Sequence, residues 1–514
     1  MRILTSEQMK AAEHRANDKG MAFIRLMENA GCACAKIIRD RLRNEPGRKK
    51  AVVVSGSGKN GGDGYVIARK LCEYGFETAV ILANGLPKDS DSSAMFRRLE
   101  GMPVVVTDYT ENPVKAFDYL GDADIIIDAL FGTGFHGTPD TSTRHIIEAV
   151  NAGGSFIISI DIPSGLECDS GESAGICIRA DLTVAISALK PVHVLVPAAL
   201  NCGEVVEADI GISDDCYRLE ESPALFTMNK SEAKRCFPAM NPAAHKGERG
   251  HVLSICGSRN MQGAACLAAA GAVRSGAGLV TAAFPECAYA AIGPKLIEPL
   301  LLPLSCNDQG TFSTAAVPKL LEAAEKASAV LIGCGLGLNA DTKTIVREIL
   351  LHVTVPIIID ADGINALSAD INMLRAAKGS VTLTPHPGEM ARLVNASVNA
   401  IQKDRIRTAK EFADNYGVVT VLKGANTVVA RPGCPEVYIN SSGNSGMAKG
   451  GSGDLLAGIM ASFSAQGISP GDAAGLAVYI HGLAGDAAAL KRSKRGMTPA
   501  DCLNELPYLL SEFE

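Results

Sequence analysis

Two series of short, unbroken apolar runs govern what this chain of 514 residues can fold into. The first comprises residues 51–54, 78–82, 104–106, 125–127, 156–160 and 182–186, with helical patterns such as 64–74 and 144–152 between them. The second comprises 251–256, 278–284, 329–332, 356–360, 381–384 and 418–423. An apolar run without alternation predicts a strand buried on both faces. Strands separated by helices run parallel, so each series predicts an α/β domain whose parallel sheet is covered on both sides. The rhythm falters over 211–227, a polar stretch with Asp214, Asp215, Arg218, Glu220, Glu221 and Pro223, and a linker is expected there. Domains of 1–215 and 225–514 follow, with residues 5–43 helical and Thr5 a capping residue.

Composition narrows the function class. Net charge is −7, which disfavours a broad nucleic-acid-binding surface while leaving room for a local phosphate pocket. The 15 cysteines are scattered without a Cys-x-x-Cys pair, so reduced thiols are expected, with Cys256, Cys266 and Cys334 as small core residues. No apolar run of about 20 residues occurs, the longest candidate, 267–284, being broken by Arg274. A soluble, cytoplasmic protein without membrane partners is the expectation.

The chemistry concentrates where strands end. Residues 443–458 read Gly-Asn-Ser-Gly-Met-Ala-Lys-Gly-Gly-Ser-Gly-Asp-Leu-Leu-Ala-Gly. Glycines let amides approach an anion, and the apolar run after Asp454 predicts a helix beginning there, whose free N–H groups suit phosphate. Asp454 at the mouth of such a site can take a proton from a hydroxyl. A glycine-rich turn with an aspartate cap is the plainer reading. Company favours the first. Gly333-Cys-Gly335-Leu-Gly337 and Thr384-Pro-His386-Pro-Gly-Glu389 end strands, Lys423-Gly424-Ala425-Asn426-Thr427 makes a turn, and Asp360 and Asp362 place carboxylates where Mg²⁺ can be held through water. Met261-Gln-Gly263-Ala264-Ala265 precedes a helix.

The first half gathers oxygens in the same way. Ser55-Gly-Ser-Gly-Lys59-Asn60-Gly61-Gly62-Asp63-Gly64 follows a strand, where open α/β sheets bind ligands, but closes as neither a dinucleotide turn nor a P-loop. Asp128 and Asp161 stand at two further strand ends, followed by Gly132-Thr133-Gly134 and Ser164-Gly165. Their convergence predicts a hard-cation site with a proton-transferring carboxylate.

Residues 1 to about 215 resemble the YjeF N-terminal family of epimerases for hydrated nicotinamide dinucleotides, through Gly-Lys-Asn-Gly-Gly-Asp-Gly, Asp-Ala-Leu-Phe-Gly-Thr-Gly and Asp-Ile-Pro-Ser-Gly. Lys59 stands where the family usually has Asn. The resemblance implies a Rossmann-like sheet and a potassium site of Asn60, Asp128 and Ser164. It implies a substrate site of Lys59, Asn60, Gly61, Gly62, Asp63, Gly132, Thr133, Gly134, Phe135, His136, Gly137 and Thr138, with Asp161 catalytic. From about Lys230 onward the chain resembles the ribokinase-like ADP-dependent NAD(P)H-hydrate dehydratases, through Gly-Cys-Gly-Leu-Gly, Thr-Pro-His-Pro-Gly-Glu, Lys-Gly-Ala-Asn-Thr and Gly-Gly-Ser-Gly-Asp; Cys334 replaces the usual Pro. An α/β/α fold is implied, with Lys423, Gly424, Ala425, Asn426, Thr427 and Gly453 binding the nucleotide. Ala264, Ala265, Gly335 and His386 would bind hydrate, with Asp454 as base. The implied partners are NADHX or NADPHX, ADP, K⁺ in the first domain and Mg²⁺ in the second, in a homo-oligomer. A small-molecule kinase carrying an N-terminal binding module is the alternative.

Overall fold

The computed structural model describes residues 1–43, 47, 49–171, 175–217, 224–238 and 241–513. The chain divides into two compact units, Met1–Ala224 and Leu225–Glu514. The stretch expected as a linker is partly built into the first: Ile212, Cys216 and Tyr217 are buried, and Asp214 and Asp215 pair with Arg2 and Lys19. Its middle, with Arg218, Glu220, Glu221 and Pro223, lies outside the described residues.

The first unit is built on seven parallel strands: β1 (Lys50–Ser55), β2 (Glu77–Leu82), β3 (Val104–Asp108), β4 (Ile125–Ala129), β5 (Phe156–Ile160), β6 (Leu182–Ile186) and β7 (Glu204–Ala208). They lie in the order β3-β2-β1-β4-β5-β6-β7. Side chains alternate across the sheet. Ala51 and Val53 join one core, with helices Ser6–Asp18, Phe23–Leu42 and Lys59–Glu73, while Val52 and Val54 join another beside Ile146 and Ile147. Each such aliphatic side chain contributes about 1.5–3 kcal/mol by leaving water. Chain order reverses between β1 and β4. Ligands of such sheets bind beyond the strand carboxyl ends at that reversal.

β7 escaped the sequence pattern because it is an edge strand with two partly exposed glutamates, Glu204 and Glu207. The helical stretch 5–43 is two helices, broken where Gly20 takes φ +96°. Thr5 does cap the first: its hydroxyl accepts from the Gln8 amide at 3.2 Å, and the Gln8 side chain accepts from the Thr5 amide at 3.0 Å.

The second unit contains β8 (His251–Ile255), β9 (Leu279–Pro285), β10 (Leu300–Leu304), β11 (Ala329–Ile332), β12 (Ile357–Ile359), β13 (Val381–Leu383), β14 (Val419–Leu422), β15 (Val428–Ala430) and β16 (Glu436–Ile439). Their order is β16-β15-β14-β13-β12-β11-β8-β9-β10; β10 to β14 are parallel, and β15 and β16 add an antiparallel hairpin. β10, a half-exposed edge carrying Pro303, and the short hairpin strands were the ones the sequence concealed. The reversal falls between β8 and β11.

One face of this sheet packs against helices Gln262–Arg274, Ser452–Ala465 and Pro470–Arg492. The last, rather than 267–284, is the one described helix long and apolar enough to cross a membrane, and 72% of its apolar window is buried inside the unit, as for a core helix.

Candidate active sites

In the first unit, three strand ends converge. Asp128 lies opposite Ser159 across the β4–β5 ladder. Its fully buried carboxylate accepts from Ser159 Oγ at 2.8 Å, the Ser164 amide at 2.9 Å, Ser164 Oγ at 2.6 Å and the Leu130 amide at 3.3 Å. Burial raises its pKa, and these bonds oppose the shift. Asn60 reaches over from the helix following β1 and donates from Nδ2 to the Phe131 and Ile160 carbonyls at 2.8 and 3.2 Å. Its Oδ1 is buried without a hydrogen-bond partner. A buried orphan oxygen is costly, and with the Asp128 carboxylate and the Ser164 hydroxyl it makes a set of hard oxygen donors of the type a hard cation takes.

Asp161, just past β5, has φ +67°, a left-handed backbone rare outside glycine. A β-carbon on Gly132 would come within 3.4 Å of both Asn60 Cβ and Asp161 Oδ2, so this glycine leaves room between them. Glu13 and Asp63 share the neighbourhood. Burial, then the charge of Asp161, raises the pKa of each. Lys59, exposed, holds Nζ 5.0 Å from the Phe23 ring centroid and draws down the pKa of both carboxyls.

In the second unit, Asp360, just past β12, is buried; Oδ1 accepts from Lys423 Nζ at 2.5 Å and Thr384 Oγ1 at 2.6 Å, with the Cys334 thiol 3.7 Å from Oδ2. Burial opposes its ionisation, but Lys423 and these bonds outweigh burial and hold its pKa below the usual range. Lys423 is correspondingly raised, burial being outweighed by Asp360 and Glu389. Asp454 sits in the first turn of Ser452–Ala465, and ligand atoms of Cys334, Asp360 and Asp454 lie within 4.8 Å of one another. Burial, then Asp360, pushes the Asp454 carboxyl up to about 6.

That helix starts at Gly451, φ +96°, without a side-chain cap. Ser452 gives its amide to the Lys449 carbonyl, so the first-turn amides left for an outside acceptor are those of Gly453 and Asp454. A β-carbon on Gly453 would stand 3.3 Å from Lys423 Nζ and 3.5 Å from Asp360 Oδ2. His386 caps helix Pro387–Leu393: Nδ1 accepts from the Gly388 amide at 3.0 Å, so Nε2 carries the proton, 3.5 Å from Glu389 Oε1. Burial pushes Glu389 up to about 7.

A family model described as NAD(P)H-hydrate dehydratase matches residues 252–508, and one for the YjeF-related protein N-terminus matches 24–192. The bifunctional NAD(P)H-hydrate repair enzyme Nnr of Moorella thermoacetica is 37% identical over 100% of this chain and 97% of its own. The chain belongs to the bifunctional NAD(P)H-hydrate repair enzymes. The Nnr of Thermofilum pendens is 34% identical over 99% of this chain and 96% of its own. Among solved structures, an ADP/ATP-dependent NAD(P)H-hydrate dehydratase from Bacillus subtilis, co-crystallised with ATP and Mg²⁺, is 29% identical, covers 57% of this chain and 100% of its own, and gives a TM-score of 0.48.

Several residues singled out in this repair enzyme's sequence stand differently from their expected setting. The Lys59-Asn60-Gly61-Gly62-Asp63 segment is not a loop before a helix but the first turn of Lys59–Glu73. Gly61 and Gly62 are packing positions: a β-carbon would lie 1.9 Å from the Gly56 carbonyl oxygen at the first and 2.6 Å from Met27 Sδ at the second. Ala264 and Ala265 likewise lie in the first turn of Gln262–Arg274, and Gly335, φ +65°, packs so closely that its β-carbon would be 2.8 Å from Ala264 Cβ. Asp454 is neither the cap nor the start of its helix. In the 132–138 loop, Gly132, Thr133 and Phe135 are half-buried, with Phe135 stacked 4.5 Å from Phe131, while Gly134, His136, Gly137 and Thr138 are exposed. In the 423–427 turn, Gly424 and Asn426 take φ +152° and +54°, and Thr427 Oγ1 donates to the Gly424 carbonyl at 3.0 Å; Ala425 is exposed. Cys334 is not only a core residue, since it touches Asp360.

The sequence reading passed over Lys190, His193 and Glu13. The first two follow β6 in Ser187-Ala-Leu-Lys190-Pro-Val-His193, where a lysine inside an apolar run past a strand end was the available signal. Glu13 had none, being one polar residue on an amphipathic helix.

Proposed function

We propose that the Leu225–Glu514 unit dehydrates the S epimer of NADHX or NADPHX at the expense of ADP, with Asp454 as general base, and that the Met1–Ala224 unit supplies this epimer from the R form through Asp161. The first assignment is carried by one juxtaposition: a half-buried carboxylate in the first turn of a helix without a side-chain cap, near a Lys423–Asp360 ion pair that Gly453 leaves uncovered.

A carboxyl with pKa about 6 is ionised at neutral pH yet basic enough to accept the hydrate's hydroxyl proton. The oxygen attacks the terminal phosphoryl group of ADP and displaces AMP. Lys423 and the Gly453 amide stabilise charge on the transferred group without rearranging, since Asp360 already holds the ammonium. The ring nitrogen's lone pair then expels phosphate from carbon, and the iminium so formed loses a proton from the adjacent carbon to the departing phosphate or to water, which restores the ring double bond of NAD(P)H. Amides of the 423–427 turn hold the nucleotide. Mg²⁺ would be held through water by Asp360 Oδ2 and Asp362, because the Cys334 thiol, its pKa raised by its bond to Cys256 and by burial, is a poor partner for a hard cation; it would neutralise phosphate charge.

In the first unit, inversion at the hydroxyl-bearing carbon needs proton transfer, which Asp161 Oδ2 is placed to serve across the gap left by Gly132. Asn60, Asp128 and Ser164 would hold K⁺, which organises the surrounding oxygens.

The deciding experiment adds protein, ADP and Mg²⁺ to mixed hydrate epimers and follows reduced nicotinamide absorbance. Recovery should continue until both epimers are consumed, cease in Asp454→Ala, and in Asp161→Ala stop once the S form is spent, apart from slow R consumption. A stable phosphorylated product without restored absorbance would instead identify a kinase.

A further inference from the structure

Lys190 is among the largest fully buried side chains of the protein, 1% exposed. Burying an ammonium costs several kcal/mol unless it is paired and hydrogen-bonded. Here Nζ donates to Asp161 Oδ1 at 2.5 Å and to the Ile186 carbonyl at 2.6 Å. The Ile186 amide also points to Oδ1, at 3.4 Å. Among the described residues Oδ2 accepts no hydrogen bond, and it is this oxygen that faces the space beside Gly132.

The backbone of Asp161 is fixed from the same segment. His193 Nδ1 accepts from the Lys190 amide at 3.0 Å, which leaves the proton on Nε2, and Nε2 donates to the Asp161 carbonyl at 2.7 Å. Burial, then Lys190, keeps this imidazole neutral with a pKa of about 4. The Asp161 amide donates to the Val184 carbonyl at 2.9 Å, so the left-handed conformation is held at both ends.

We propose that Lys190 is the positioning residue of the epimerase site: its ammonium anchors Asp161 Oδ1 and presents Oδ2 alone to the hydrate. The inference rests on the epimerase reading of this unit. An unanchored carboxylate would rotate and share its basicity between two oxygens. The groups facing Asp161 and Lys190 are Glu13 from helix Ser6–Asp18, Asp63 and Lys59 from Lys59–Glu73, Glu207 from β7, His193, and the thiols of Cys34 and Cys168. Lys59 and Lys190 are the cations of this set, and of the two Lys190 is the one that donates to Asp161.

The test measures exchange of chromatographically resolved R and S hydrates, in the full chain without ADP. In Lys190→Met, kcat should fall about 100-fold, the scale of a misplaced reacting group, with KM within about threefold. In an Asp161→Asn background the same substitution should add nothing, because Lys190 acts through Asp161. Should Lys190→Met fold poorly, Lys190→Ala should regain exchange with added ethylamine, which a purely structural lysine would not permit. Wild-type kcat in Lys190→Met, a fall carried by KM rather than kcat, or no amine rescue overturns the assignment. No exchange in the wild-type chain sinks the epimerase reading itself, and Lys190's role with it.

Discussion

Gly453→Ala separates stability from chemistry in the second unit. Gly453 is the second residue of helix Ser452–Ala465 and has no left-handed backbone to protect. Alanine is there the better helix former by up to about 1 kcal/mol. The three atoms nearest the added methyl are Lys423 Nζ at 3.3 Å, Asp360 Oδ2 at 3.5 Å and Lys423 Cε at 4.0 Å, all of them side-chain atoms. Moving a lysine terminus by a few tenths of an ångström costs less than the helix gains. Thermal unfolding should therefore stay level or rise by roughly 2 °C. Catalysis should suffer, because the methyl covers the ammonium and the helix amide where the transferred phosphoryl group must sit. A displacement of about 1 Å there lowers the rate about 100-fold. The assay is AMP release from ADP and pure S hydrate, with epimer exchange measured separately and expected unchanged. Dehydration within threefold of wild type, with the same KM for ADP, would show that no phosphate passes over Gly453. A melting point lowered by several degrees would refute the packing argument.

Dehydration should also carry an acid limb set by Asp454. The base works ionised and its carboxyl is pushed up to about 6 by burial, so kcat/KM from AMP release should fall about tenfold per pH unit below about 6, and Asp454→Asn should abolish it at every pH. Glu389 makes a stability prediction. Burial pushes this carboxyl above its ordinary 4.5 to about 7, so its protonation favours the fold; that contribution is full below 4.5 and lost as pH rises through about 7. Glu389→Gln should be more stable than wild type at alkaline pH, by on the order of 3 kcal/mol, and equal to it at acid pH. Urea unfolding at both pH values checks this, and a pH-independent difference would contradict it.

The apolar runs made two parallel α/β units legible from sequence, because a strand buried on both faces needs little more than β-branched and aliphatic residues at the right length. β5 and β6 begin and end where the pattern places them. The hidden strands were edges or short hairpins, where half-exposure admits Glu204, Glu207 and Pro303 and erases the apolar signal. Strand ends were legible as sites for a related reason: Asp128, Asp161, Asp360 and Asp454 are carboxylates in apolar or glycine-rich surroundings that nothing local explains.

What sequence could not supply was anything set by contacts distant along the chain. Glycine-rich segments at Lys59, Gln262 and Ser452 looked like loops because glycine weakens isolated helix by about 1 kcal/mol. In the fold they are first turns of helices, and Gly61, like Gly335 against Ala264, sits where close packing tolerates no side chain. Likewise Lys190 meets Asp161 across 29 residues, and Lys423 meets Asp360 across 63. Sequence thus determined which residues carry charge and where strands end. Only the folded sheets decided which ammonium faces which carboxylate, and with it which oxygen of Asp161 is left free and why Asp454 holds its proton up to about pH 6.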